Sequence, residues 1–92
     1  MTDVVILKLS SGEEVIARAN NTGHGWLVTK PRVVVMAPTP QGIQIAIMPW
    51  IAANVDGKYT IDDKHVITSG KPTNKLEKQY LEQTTGLEIV KG

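Results

Sequence analysis

The sequence predicts a mainly β protein: a small, strongly bent, five-stranded antiparallel barrel with one C-terminal α-helix. Three observations predict it. Residues 4–20 alternate with period two on either side of a Ser-Ser-Gly turn. An apolar strand over residues 26–37 is interrupted by Pro31, which cannot donate to a ladder and so marks a bend, a bulge or an edge. The one good helix pattern comes late, at residues 74–85. Residues 1–70 are therefore read as the barrel, and residues 71–92 as a helix and tail packed on the same domain.

Composition bounds the rest. The chain has 92 residues, the size of one small domain. Such a chain buries only about 60–65% of its unfolded surface. With no Phe and no Cys, its thin core is filled by aliphatic residues and has no disulfide staples. A thin core favours oligomerisation, which buries more apolar surface. The absence of Cys fits an intracellular location. No apolar run approaches the roughly 20 residues of a membrane span, so no membrane partner is expected. A net charge of +1 gives no global attraction to nucleic acid, and any electrostatic site must come from local clustering.

In the opening hairpin Val5, Leu7 and Leu9 alternate with Val4, Ile6 and Lys8. Gly12 supplies a turn residue that takes positive φ freely. Beyond it Val15, Ala17 and Ala19 share a side. Residues 20–25 form a turn cluster. Residues 26–37 form one long strand, sharply bent near Lys30-Pro31, and its unbroken apolar second half predicts burial on both faces. Residues 38–42 turn, and residues 43–48 alternate as a fourth strand ending at Pro49. Asp56-Gly57 is a hairpin signal, read as a small excursion from the main sheet. Asp62-Asp63 is a polar break, and residues 65–68 make a short last strand. Asn74 is the expected N-cap of the helix, with Glu77 completing a capping box. Leu76, Tyr80 and Leu81 give it a narrow apolar stripe. Gly86 stops it with a Leu87 contact, and residues 87–90 read as a terminal strand or a tail.

This order of elements resembles the Sm-like family of small β-barrels, which includes the Sm and LSm proteins and the RNA chaperone Hfq. Residues 4–19 resemble the first half of the family's first motif. Residues 26–37 sit where its long bent third strand would be. Lys64-His65-Val66-Ile67-Thr68-Ser69 is similar to the Lys-His-Ala-Ile-Ser-Thr stretch of Hfq, where Lys and His line an RNA-binding pore. The chain is also similar to small uncharacterised proteins of large tailed phages. It departs from the family in lacking a helix before the first strand and in having no counterpart of the Asp and Asn that frame uridine. The resemblance implies a homo-oligomeric ring in which the fourth strand of one copy pairs with the fifth of the next. Ile43, Ile45, Ile47, His65, Val66 and Ile67 are then the interface candidates.

Nothing in the chain suggests catalysis: there is no nucleophile with an evident base and no pocketed carboxylate pair. With two histidines and no Cys, no cofactor or metal is expected. The binding candidates are His24 and Trp26 by a Gly-flanked loop, Lys30 and Arg32 beside Pro31, and Lys64 with His65. Basic side chains beside aromatic platforms hold single strands of nucleic acid. Each has a plainer reading: Trp26 as core, His24 as exposed loop, Lys30 and Arg32 as strand-edge charges, Lys64 and His65 as surface ion pairing after two aspartates. Weak single-stranded RNA binding by a ring is the expectation. A structural or adaptor ring that touches no nucleic acid is the alternative.

Overall fold

The opening hairpin forms as its alternation requires. In the computed structural model, which describes residues 3–85, β1 (Asp3–Leu9) pairs with β2 (Glu14–Asn21) from Asp3 opposite Ala19 to Lys8 opposite Glu14. The Leu9 amide donates to the Glu13 carbonyl at 2.8 Å, and Gly12 takes φ 98° in the turn. That conformation is open to glycine without a Cβ penalty. Leu7, Leu9, Val15, Ala17 and Ala19 face inward onto Val28 and Ile61. The opposite face is buried as well: Val4 and Ile16 lie with Ile47 and Tyr80 in a second core, flanked by Ile6, Val34, Leu76 and Leu81.

The organising strand is β3 (Gly25–Thr39), 15 residues long. One edge carries β2. The other carries β5 (Lys58–Asp62) along its first third and β4 (Gly42–Pro49) along its second half. The bend predicted at Lys30-Pro31 is a bulge: Arg18 pairs with Thr29 and Ile16 with Arg32, so Ala17 alone opposes two residues. Lys30 sits at φ 53°, uncommon for a residue with a Cβ. At this break in the ladder the Arg18 amide donates instead to the Tyr80 hydroxyl at 3.1 Å, and that hydroxyl donates between the carbonyls of Thr29 and Lys30, each 2.9 Å away.

Tyr80 belongs to α1 (Asn74–Thr85), which lies across the second core. Its cap is Thr73 rather than Asn74. The Thr73 hydroxyl accepts from the Leu76 amide at 3.2 Å, and the Thr73 carbonyl accepts the first helical bond from Glu77. Helix numbering thus starts one residue earlier than the sequence suggests, which removes Glu77 from the third position that a capping box needs. The predicted helix stop at Gly86 and the tail at residues 87–90 lie outside the described residues.

Two expectations about the sheet need correction. Among the described residues there are six strands, not five, and the sheet they form is not closed into a barrel. Its order is β4-β3-β2-β1-β6, with β5 on β3 off that path. The strand after β4 is split off by an excursion over residues 50–57 that contains a 3-10 turn at Ala52–Asn54. Asp56-Gly57 therefore makes no hairpin; Gly57 instead offers its carbonyl to the Lys30 amide at 2.9 Å. A second 3-10 turn, Asp63–His65, carries the chain from β5 to β6 (Val66–Gly70). No ladder joins β5 to β6, so among the described residues the ring of strands is open there.

Replacing Tyr80 by Phe keeps the packing but leaves the buried Arg18 amide without its acceptor. The expected loss is about 1–3 kcal/mol in urea unfolding. Burial pushes the Tyr80 phenol above its ordinary value of 10.0, against the opposing effects of the Arg18 backbone hydrogen bond and the nearby Arg32 and Arg18 charges. The folded chain thus holds this proton more tightly than the unfolded one. Its stabilising effect is complete below pH 10.0 and is lost as pH rises beyond. The alkaline loss should be smaller in Tyr80→Phe than in wild type.

Candidate functional site

Two features of the surface stand out: a pair of open strand edges and a groove of mixed polar and apolar lining at one end of the sheet. Among the described residues β4 pairs with β3 alone and β6 with β1 alone. Neither strand contains a charged residue. Met36 and Ile43 are each 71% exposed, Ile45 55% and Met48 52%, and across the sheet Ile67 is 65% exposed. Register explains this concentration. Val34 faces Ile47, Met36 faces Ile45 and Pro38 faces Ile43. Paired residues share a face, so these three pairs line the side on which α1 lies. The helix covers only the first of them, and the remainder of the β3–β4 hairpin runs on uncovered.

The six interface candidates therefore separate. Ile43, Ile45 and Ile67 are exposed on or beside free edges. Ile47 is not available: it is buried beneath Tyr80, because the helix crosses the sheet there. Val66 is half-buried against the inner core, opposite Leu9. His65 lies exposed in the 3-10 turn ahead of β6.

The groove, of about 540 Å³, is lined by Ser10, Ser11, Glu13, Trp50, Lys64 and His65, among others. The Ser10 amide donates to the His65 carbonyl at 2.8 Å, which ties the β1–β2 turn to the second 3-10 turn. Trp50 packs on the inner core and donates its indole N–H to Glu13 Oε1 at 3.3 Å. Asp62 caps the 3-10 turn by accepting from the Lys64 amide, which leaves the Lys64 and His65 side chains outward. On the far side of that turn the Asp63 amide donates to the His24 carbonyl at 3.0 Å. His24, Lys64 and His65 thus share one end of the sheet. They share it with Glu13, Asp62 and Asp63, so the charge there is mixed.

The other three nucleic-acid candidates are engaged in the fold. Trp26 pairs with Ile61 and packs half-buried against the inner core. Lys30 donates from Nζ to the Thr84 carbonyl at 2.9 Å, a cation on the last turn of α1. Arg32 is turned inward and is only 4% exposed. Its guanidinium donates to the carbonyls of Lys30, Pro31 and Val55 and to Asp56 Oδ1 at 3.0 Å. It serves as a bolt between the bulge and the excursion, not as surface charge. Glu13 and Trp50 in the groove, and Met36 and Met48 on the hairpin, were not among the candidates. Met36 lies in the unbroken apolar run of the third strand and Met48 in the alternating residues 43–48, but pattern alone does not show which face the helix leaves bare.

Among the described residues no group of three or more His, Asp or Glu side chains could hold a metal ion. No described helix is long and apolar enough to cross a membrane. No family model and no curated protein matches this chain.

Lysine cannot replace arginine at position 32, since one ammonium cannot span three carbonyls and a carboxylate in the fork geometry of a guanidinium. Arg32→Lys should cost about 1–3 kcal/mol in denaturant unfolding. Asp56→Asn should cost less than about 1 kcal/mol, because that carboxylate is 63% exposed.

Proposed function

We propose that this chain is a non-catalytic, Sm-like assembly subunit. Copies join through the free edge of β4 in one and the free edge of β6 in the next, and the resulting ring, an adaptor or structural part, is the working form. The observation that carries this reading is the β3–β4 hairpin. It extends past the helix as a two-stranded arm, with Met36, Ile43 and Ile45 bare on the helix side; Met48 is exposed nearer the base, opposite Val33 where β3 still pairs with β2. Two strands alone are marginal in water, and an apolar, uncharged edge invites another chain. The return of β6 to β1, after strands that run β1-β2-β3-β4 in order, supports the Sm-like reading.

Magnitudes support a multi-point contact. Apolar surface on the order of 500 Å² is worth roughly 12 kcal/mol when buried. Association costs roughly 4–15 kcal/mol in lost freedom. The two nearly cancel, so edge hydrogen bonds and closure of the ring decide the affinity.

Weak single-stranded RNA binding is the second reading, and one observation favours it. Lys64 and His65 stand exposed beside Trp50 in the groove, and a ring would repeat that group in every copy. The acidic neighbours and the inward Arg32 favour the adaptor.

Sedimentation at micromolar concentration should give a mass several-fold above the 10.0 kDa monomer. A monomer at every concentration removes the ring. Filter binding of A-rich and U-rich RNA at two salt concentrations, with wild type and with Lys64→Ala/His65→Ala, separates the readings. Binding that the double substitution abolishes assigns RNA, and no binding assigns the adaptor.

A further inference from the structure

The start of β4 and the first turns of α1 enclose a groove of about 450 Å³. It is lined by Ile43, Ile45 and Leu76 and by polar residues such as Gln44 and Gln79. Among the described residues Lys75 is the one charge in the lining. We infer that residues 86–90 of the same chain fold back into this groove, and that a joining copy must displace them. The second half of the inference rests on the edge-to-edge reading above; the first half stands without it.

The helix brings the segment to the mouth of the groove. Gln83 donates from Nε2 to the Ile47 carbonyl at 3.3 Å, so the last turn of α1 stands beside β4. Ile45 and Ile43 lie two and four residues back along that strand. Gly86 follows Thr85 and can reverse the chain without a Cβ penalty. Leu87-Glu88-Ile89-Val90 comes next. Four residues of extended chain span about 13 Å, the same length as four residues of β4. A chain that turns back at Gly86 therefore reaches Ile43 by residue 90.

Segment and groove match in chemistry. Leu87 and Ile89 alternate with Glu88, so one side of an extended run is aliphatic. Ile43 and Ile45, 71% and 55% exposed, are the aliphatic surface it would cover. Lys75 is exposed and has no ion-pair partner among the described residues, and Glu88 supplies one. An extended segment also brings unpaired backbone N–H and C=O groups, for which the amides of Gln44 and Gln79 are partners. A wholly apolar groove would leave those groups unmet. The joint between copies needs the same stretch of β4, so the two compete. Covering an edge with a piece of chain is one way natural sheets avoid unwanted pairing.

The chain has no cysteine, so introduced thiols report without background. Full-length Ile45→Cys/Ile89→Cys is oxidised mildly at submicromolar concentration and run on a non-reducing gel. The control is Lys64→Cys/Ile89→Cys, whose first thiol lies at the other groove. An intrachain disulfide, seen as a faster-moving monomer band, is expected at several-fold the control's yield. Sedimentation of wild type and of Leu87→Asp/Ile89→Asp is measured in parallel. The aspartate variant should assemble at a several-fold lower concentration, because its segment no longer holds the groove. A disulfide yield no better than the control's overturns the inference, as does a disulfide that links two chains. Assembly of the aspartate variant at the same or a higher concentration than wild type overturns the competition. If both are monomers at every concentration, the assembly reading falls, and the disulfide alone upholds or overturns the seat.

Discussion

The hydroxyl of Tyr80 is the contact on which the rest of the structure depends. A 15-residue strand cannot follow a small core without bending, and a bend at Lys30-Pro31 breaks the ladder with β2. The break leaves the Arg18 amide and the carbonyls of Thr29 and Lys30 to be satisfied away from the strand pairing. One phenol oxygen serves all three, accepting from the first and donating between the others. The side chain that does this comes from the C-terminal helix, so the bend and the helix position are a single event. A buried polar group left unpaired would cost about as much as the phenol gains, which makes the arrangement strict.

The same bulge organises the opposite edge of β3. There the Lys30 amide reaches the Gly57 carbonyl, and Arg32 gathers the carbonyls of Lys30, Pro31 and Val55 together with Asp56. The excursion between β4 and β5 is thus bolted to the bend from one side, while α1 is bolted to it from the other through Tyr80 and Lys30. A chain without Phe or Cys fixes its shape by polar contacts at one irregular point, with two aliphatic clusters on either side of the β1–β2 hairpin.

What could be read in the sequence followed the physics of local signals. Alternation in residues 4–20 gave the hairpin and its turn, since period two and a glycine at positive φ are local properties. The helix was legible for the same reason, although its cap fell on Thr73 rather than on Asn74 because either residue can cap. Pro31 marked the bend without giving its form. The split between β4 and β5 was hidden, because the Arg32 contacts that hold the excursion span 23 and 24 residues. For the same reason Arg32 read as a surface charge. Of the candidate interface residues, Ile47 was misplaced because its burial depends on Tyr80, in a helix far along the chain, and no periodicity in residues 43–48 reports that.

The helix that completes the second core also limits it. α1 covers the sheet as far as Ile47 and Val34, and on that face the β3–β4 hairpin continues for two further pairs, Met36–Ile45 and Pro38–Ile43. Had the helix been longer, or the hairpin shorter, Ile43, Ile45 and Met36 would be either buried or absent. Natural edge strands are kept from pairing by lysines, prolines within the strand, or inward-turned charges. Here β4 has its only proline at its last residue, and its remaining seven positions carry no charge. The lack of such guards, on the hairpin that the helix leaves uncovered, is the ground on which the proposed joint between copies rests.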